Sequence, residues 1–224
     1  MSLSASLSRL AVYYQRNGIR ATVHRASQSI RRSLFSNRMV LFYCDLAHGN
    51  SFSVNLPDHL NVEQRRTEVE LGTQDFSQIV NLWNPTISRR QIPERFRQGA
   101  SLWLVKAQGK LAGFGWTITS RTIEPHYLPL GENDVHLFDF FVLPEYRGRG
   151  INPSLVNYML RSLAGEGASR AFIEAAEWNH AQLSSLRKTP FRLLGMAKKT
   201  RFFHHTVVAW YESRGEADQG HGQL

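Results

Sequence analysis

The stretch from Val135 to Ala164 constrains this chain more than any other. Val135-His136-Leu137-Phe138-Asp139-Phe140-Phe141-Val142-Leu143 is a strand-sized apolar run, and Pro144-Glu145-Tyr146-Arg147-Gly148-Arg149-Gly150 separates it from a helical pattern over about 151–164. A strand this apolar cannot face water, so helices must cover the sheet that contains it. The two glycines allow a tight turn and close approach of backbone to a ligand. Free N–H groups at the start of the following helix point into that turn and make an anion site. Arg147 and Arg149 add positive charge and forked donors suited to phosphate oxygens. The Gly-Lys-Ser/Thr ending of a Walker loop is missing, and so is the third glycine of a dinucleotide fingerprint. The residues alone leave two readings: a phosphate-bearing ligand at a helix N-terminus, or a plain Gly-rich turn.

The rest of the chain supplies the company this unit needs. Residues 4–17 and 21–34 carry helical patterns, the first ending at Asn17-Gly18, and Met39 to Leu46 read as a strand. Thr67, Val69 and Leu71 alternate with Glu68 and Glu70, which predicts a half-buried strand. Thr73 then caps a helix holding Phe76, Ile79, Val80 and Trp83, and Ser88 starts another with Ile92 and Phe96, ending at Gly99. Strands over 101–107 and 111–119 flank the hairpin turn Gln108-Gly109-Lys110. After the central unit come a strand over 171–177, a helix over 179–188 and two strands within 191–212. The expected architecture is an α/β (α+β) fold with a mixed, mostly antiparallel central sheet flanked by helices.

Composition narrows the class. The 224 residues are 42% apolar, enough to build a core. A single cysteine, Cys44, excludes an intrachain disulfide and a multi-cysteine zinc site; its setting reads as a buried strand thiol in a reducing compartment. No apolar run reaches the roughly 18 residues of a membrane span, so the expected location is cytoplasmic, at most peripheral at the membrane. The net charge is +9, and residues 1–44 hold seven Arg, no Lys and no acid. Such a segment attracts anionic lipid, nucleic acid or an acidic carrier protein. It also has the composition of a transit peptide, although the strand over 39–46 calls for a partner in the folded domain. The expected organisation is a basic helical extension over 1–60, a catalytic domain over 61–213 and a frayed tail over 214–224.

The motif Val142-x-Pro144-x-Tyr146-Arg147-Gly148-Arg149-Gly150-Ile151 resembles the coenzyme A pyrophosphate loop of the GNAT acyltransferases, Arg/Gln-x-x-Gly-x-Gly/Ala, with Arg147 and Gly150 at matching positions. Asn152 stands where Gly or Ala is usual and puts a side chain near the phosphates; Pro153 follows, and proline suits a first helical turn. Ile92 to Trp116 and Phe172 to Phe191 are also similar to the family, so the resemblance covers roughly 65–212. It implies a sheet splayed between the domain's fourth and fifth strands, with pantetheine in the gap. Backbone groups of Phe141, Val142 and Leu143 would pair with pantetheine, and those from Arg147 through Gly148, Arg149, Gly150 and Ile151 to Asn152 would hold the pyrophosphate. Asn179 stands at an asparagine often seen on the last helix. A backbone N–H near Val142 would polarise the acyl carbonyl, and the amine would attack directly.

Two departures concern the chemistry. Many members carry a Tyr on the last helix as general acid, where this chain has Leu186, and Pro190-Phe191 replaces Gly-Phe. A thiol pKa of about 8.5 lets coenzyme A leave as thiolate without such an acid. A base must still take a proton from the attacking ammonium. His136 is the first choice, since imidazole titrates near neutrality; Asp139, three positions on, is also a candidate and should face the opposite side of the strand. Glu174 and Glu177 are further candidates, and ordered water is another. His204-His205 reads as structural, and no metal is expected.

These features predict an N-acetyltransferase moving an acetyl group from acetyl-coenzyme A to a primary amine of a small molecule. A longer acyl donor or an acyl carrier protein serving an amino sugar or lipid is a second reading. A non-catalytic coenzyme-A-binding or anionic-surface module is a third. Expected partners are the amine, anionic lipid or a carrier at the Arg-rich segment, and a second copy of the chain; specific nucleic-acid recognition is not expected, because the basic segment has little aromatic interleaving beyond Tyr13, Tyr14 and Phe35. Acceptor-determining loops are expected at 46–64, 84–98 and 120–134.

Overall fold

The computed structural model describes residues 38–47, 56–82, 85–123, 126–202 and 205–211. The helices expected over 4–17 and 21–34 and the tail lie outside these residues. The chain divides between Arg38 and Met39 into two units, and apart from Arg38 the described residues belong to the second.

The elements in order are β1 (Arg38–Asp45), β2 (Leu60–Arg65), α1 (Glu68–Leu82), α2 (Pro85–Arg97), β3 (Ser101–Ala107), β4 (Lys110–Thr119), β5 (Asp134–Val142), a 3₁₀ turn (Pro144–Tyr146), α3 (Ile151–Gly165), β6 (Arg170–Ala176), α4 (His180–Leu186), β7 (Arg192–Phe202) and β8 (His205–Tyr211). They build one eight-stranded sheet in the order β2-β3-β4-β5-β6-β1-β7-β8. The expected mixed, mostly antiparallel sheet flanked by helices is what forms. The domain's fourth and fifth strands are β5 and β6 here, because β1 enters from the N-terminal side and pairs antiparallel with β6, Leu41 opposite Glu174.

One expectation fails at the start of the domain. Residues 67–71 are helix, and the first domain strand is Leu60–Arg65, paired with β3. Thr67 and Glu70 cap the helix: the Glu70 N–H donates to Thr67 Oγ1 at 3.2 Å, and Glu70 Oε2 accepts from the Arg66 N–H at 2.6 Å. The alternation was misleading because Val69 is 91% exposed and buries nothing. Helix α1 is broken at Gly72 (φ 70°, ψ 160°), so a second helical segment does begin at Thr73. Likewise α2 starts at Pro85, three residues before Ser88, so most of 84–98 is helix and not loop.

Two cores flank the sheet. Leu155, Val156, Met159, Leu160 and Leu163 of α3 pack on one face with Val135 and Leu137. Ile79, Val80 and Ile92 of the first two helices pack on the other with Phe114, Trp116 and Phe138. The β3–β4 turn places Gln108 (φ 50°) and Gly109 (φ 77°) in left-handed conformations, as a two-residue hairpin with the right-handed strand twist requires.

The feature that shapes the site is where β5 and β6 part. They pair in parallel from Asp134 opposite Arg170 to Leu137 opposite Ile173 and no further, although β5 continues to Val142 and β6 to Ala176. Arg170 holds the paired end through a two-pronged contact with Asp134, Nε–Oδ1 2.9 Å and Nη2–Oδ2 2.7 Å.

Candidate active site

Strand β5 changes phase at Asp139. Phe138 lies opposite Trp116, but Phe141 lies opposite Phe114, so β5 carries one extra residue there, and Asp139 adopts φ 50°. Before the bulge odd-numbered residues face the α3 core; after it Phe140 and Val142 do. Asp139 therefore shares a face with His136 and Phe138, contrary to the alternation expected from sequence. Its carboxylate pairs with the Arg95 guanidinium, which lies over the rings of Trp116 and Phe138 at 5.1 and 5.2 Å. Asp139 is thus committed to a cation, which disfavours it as a free base.

His136 is buried on that same face, with its ring stacked on Phe138. Its Nε2 lies 2.8 Å from Glu174 Oε2, and His126 Nε2 lies 3.4 Å from the same oxygen. Strand register explains the first contact: His136 sits opposite Phe172, two residues from Glu174 on the same side of β6. Burial alone would raise the Glu174 carboxyl, but hydrogen bonds and charge from His126 and His136 outweigh it and hold the group well below the usual carboxylate range. Glu174 is ionised at neutral pH. As an ionised carboxylate it accepts from His136 Nε2, so Nδ1 is the ring nitrogen directed away from Glu174. Among the described residues that Nδ1 has no hydrogen-bond partner.

Beyond the bulge lies a cleft of about 430 Å³, lined by Phe140 to Val142, the Tyr146–Gly148 turn, Gly150 to Pro153, and Asn179, Gln182, Ser185 and Lys188 on α4 and its flanks. It gathers the predicted residues Phe141, Val142, Arg147, Gly148, Gly150, Ile151, Asn152 and Asn179. Leu143 and Arg149 are not on its wall. Leu143 is buried in the other core, and its N–H donates to Ala112 O at 2.9 Å, so it is not available to a ligand. Arg149 lies over the Tyr146 ring. Arg147 Nε donates to Val142 O at 3.1 Å, which occupies one backbone group expected to face pantetheine.

Gly148 (φ 77°) and Gly150 (φ 75°) turn the chain into α3, and no acid stands in that helix's first turn. A side chain at either would meet nothing within 4 Å, so backbone conformation, not crowding, demands glycine. Asn152 does not crowd the turn: its Nδ2 donates to Gln182 Oε1 at 3.1 Å and Ser185 Oγ at 2.9 Å, tying α3 to α4. Pro153 removes only an N–H that no helical carbonyl would have accepted. Asn179 caps α4, its Oδ1 accepting from the Gln182 N–H. These residues fit coenzyme A: a glycine turn, helix N–H groups of Ile151 and Asn152, and cations at Arg147 and Lys188 suit a pyrophosphate arm.

A family model for the acetyltransferase (GNAT) family matches residues 67–188. The chain belongs to the GNAT acetyltransferase family. No curated protein matches it. Among solved structures, a GNAT-family acetyltransferase from Colwellia psychrerythraea is similar with a TM-score of 0.51 and 12% identity, covering 70% of this chain and 53% of that one. A Drosophila protein is similar with a TM-score of 0.51 and 13% identity, covering 79% and 55%. A functionally unknown conserved protein from Staphylococcus epidermidis has a TM-score of 0.51 at 9% identity, covering 71% and 58%. The chain thus spans little more than half the length of each of these, and at such identities the likeness is one of fold. As a GNAT protein, its splayed sheet is the family's own.

Leu186 is fully buried, in the position where the sequence resemblance expects a Tyr. His126 and Arg95 escaped sequence reasoning. His126 lies in a Pro-containing loop with no motif, and Arg95 is one of several arginines on an otherwise amphipathic helix. No helix of the described residues is long and apolar enough to cross a membrane.

Proposed function

We propose that this acetyltransferase is an N-acyltransferase that moves an acetyl group from acetyl-coenzyme A to a primary amine of a small molecule. The observation that carries the reading is the glycine-turn cleft opening where β5 and β6 stop pairing, on the strand that four residues before the cleft carries His136. When bound, coenzyme A supplies the acyl thioester. Ile151 and Asn152 offer N–H groups to its phosphates, with Arg147 and Lys188 beside them, and Phe141 and Val142 line the arm that leads toward the bulge. His136 takes the proton of the attacking amine, relayed by water to its buried Nδ1, while Glu174 stabilises the imidazolium through Nε2. Nitrogen–carbon bond formation and carbon–sulfur bond cleavage release a thiolate, which needs no side-chain acid near neutral pH. Asp139, paired with Arg95, shapes the acceptor side and takes no proton. Residues 61–213 act as the catalytic domain, with β1 completing the sheet, and the protein works in the cytoplasm. A binding-only descendant is the second reading, favoured by Leu186.

Calorimetric titration of the chain with acetyl-coenzyme A tests the cofactor site, with an Arg147→Glu/Gly150→Trp variant as control. Micromolar binding lost in the variant is expected, followed by turnover in an amine screen with thiol detection. Binding without turnover on any amine selects the second reading. A folded wild-type chain that does not bind overturns both.

A further inference from the structure

His126, His136 and Glu174 come from three separate places: the loop after β4, strand β5 and strand β6. Each offers one ligand atom, and all three atoms lie within 4.8 Å of one another. Both imidazoles turn Nε2 toward the same carboxylate oxygen, at 2.8 and 3.4 Å. Ligands about 2.0–2.2 Å from a tetrahedral ion lie roughly 3.3 Å apart, so small side-chain adjustments bring the three atoms around one centre. Among the described residues the ion-pair partners of Glu174 are these two imidazoles, with no Lys or Arg. A cation at this point would be held by the carboxylate and both imidazole nitrogens together.

The loop that carries His126 is anchored. Tyr127 packs against Leu41 of β1 and Ala197 of β7, and Lys199 Nζ lies 4.2 Å from the centre of its ring. His126 also lines a cavity of about 370 Å³ with Ser120, Arg121 and Thr122.

We propose that His126, His136 and Glu174 form a binding site for a divalent first-row transition cation, with Zn²⁺ the ion to test. The donor set of two imidazoles and one carboxylate suits zinc and is too nitrogen-rich for Mg²⁺ or Ca²⁺. Neither His126 Nδ1 nor His136 Nδ1 has a hydrogen-bond partner among the described residues. Outer partners of that kind are worth about 10–100-fold in affinity, so the site binds reversibly and weakly compared with a structural zinc centre. A ring bound to a cation through Nε2 keeps its proton on Nδ1. A cation on Nε2 of His136 therefore removes the lone pair its role as base requires, making the ion an inhibitor. That consequence rests on the acyltransfer reading; the site itself does not.

The test uses the full chain, stripped with chelator, without acyl donor or amine, so its result is independent of the acyltransferase reading. Zn²⁺ titration should show one saturable site per chain, weakened at least about 10-fold in His126→Ala and in Glu174→Gln. Co²⁺ bound to the wild type should give the intense visible bands of four-coordinate cobalt, a readout that stands even if a variant misfolds. No saturable uptake, or wild-type affinity retained in both folded variants, overturns the proposal. So do Co²⁺ spectra with only the weak bands of the hydrated ion.

Discussion

Nε2 of His136 lies 2.8 Å from Oε2 of Glu174, across the paired end of two strands that part a few residues later. The same register that brings the two side chains together puts the imidazole at the edge of the splay. Replacing Glu174 by Gln removes the charge that stabilises the imidazolium and leaves the coenzyme A cleft untouched. We expect kcat to fall about 100-fold with KM for the acyl donor unchanged, measured by steady-state kinetics on the best amine.

The same substitution has a pH signature in stability. The native pKa of Glu174 is depressed, so its contribution is present above the unfolded carboxylate pKa of about 4.3 and is lost as pH falls toward the native value. Urea unfolding should show Glu174→Gln less stable by about 3 kcal/mol at about pH 7. The gap should narrow at about pH 3.5. A gap independent of pH would show that packing, not charge, is what Glu174 contributes.

Asn152 links the two helices that form the cleft walls through Gln182 and Ser185. Asn152→Ala loses those bonds, worth about 1 kcal/mol. Calorimetry should find acetyl-coenzyme A bound about 5-fold more weakly, with far-ultraviolet circular dichroism unchanged.

Gly113 and Gly115 stand on β4 where β5 comes closest. A Cβ at Gly113 would lie 2.7 Å from the Phe141 backbone oxygen, and one at Gly115 2.6 Å from the Phe140 ring. The ring can swing and the carbonyl cannot, so Gly113→Ala should be the more damaging of the two. Thermal melts should show about 1–3 kcal/mol lost in Gly115→Ala and more in Gly113→Ala.

Burial raises the Cys44 thiol to about 11, with the Asp45 charge adding to the effect and Arg192 opposing it. Iodoacetamide at about pH 8 should leave the native chain unlabelled and modify it fully in denaturant. Fast labelling of the folded chain would contradict the buried strand placement of β1.

Legibility differed by region for physical reasons. The strand, turn and helix of the β5–turn–α3 unit could be read from sequence, because a glycine turn between an apolar strand and a helix leaves few conformations. Residues 67–71 were misread because an exposed Val69 imitated strand alternation while the capping residues Thr67 and Glu70 carried the opposite signal. Asp139 was placed on the wrong face because a bulge adds a residue without marking the sequence.

By itself the sequence determined the local matters: the turn at Gly148 and Gly150, the order of strands and helices over most of the domain, the apolar faces and the chemistry available to a phosphate ligand. Those follow from short-range sterics and hydrophobic period, which a single segment contains. Only the tertiary structure decided that His126, His136 and Glu174 converge, that Arg95 holds Asp139, and that β1 completes the sheet beside β6. These depend on strand register, a bulge and loop closure across long separations in the chain. None of those is set by the residues that end up in contact.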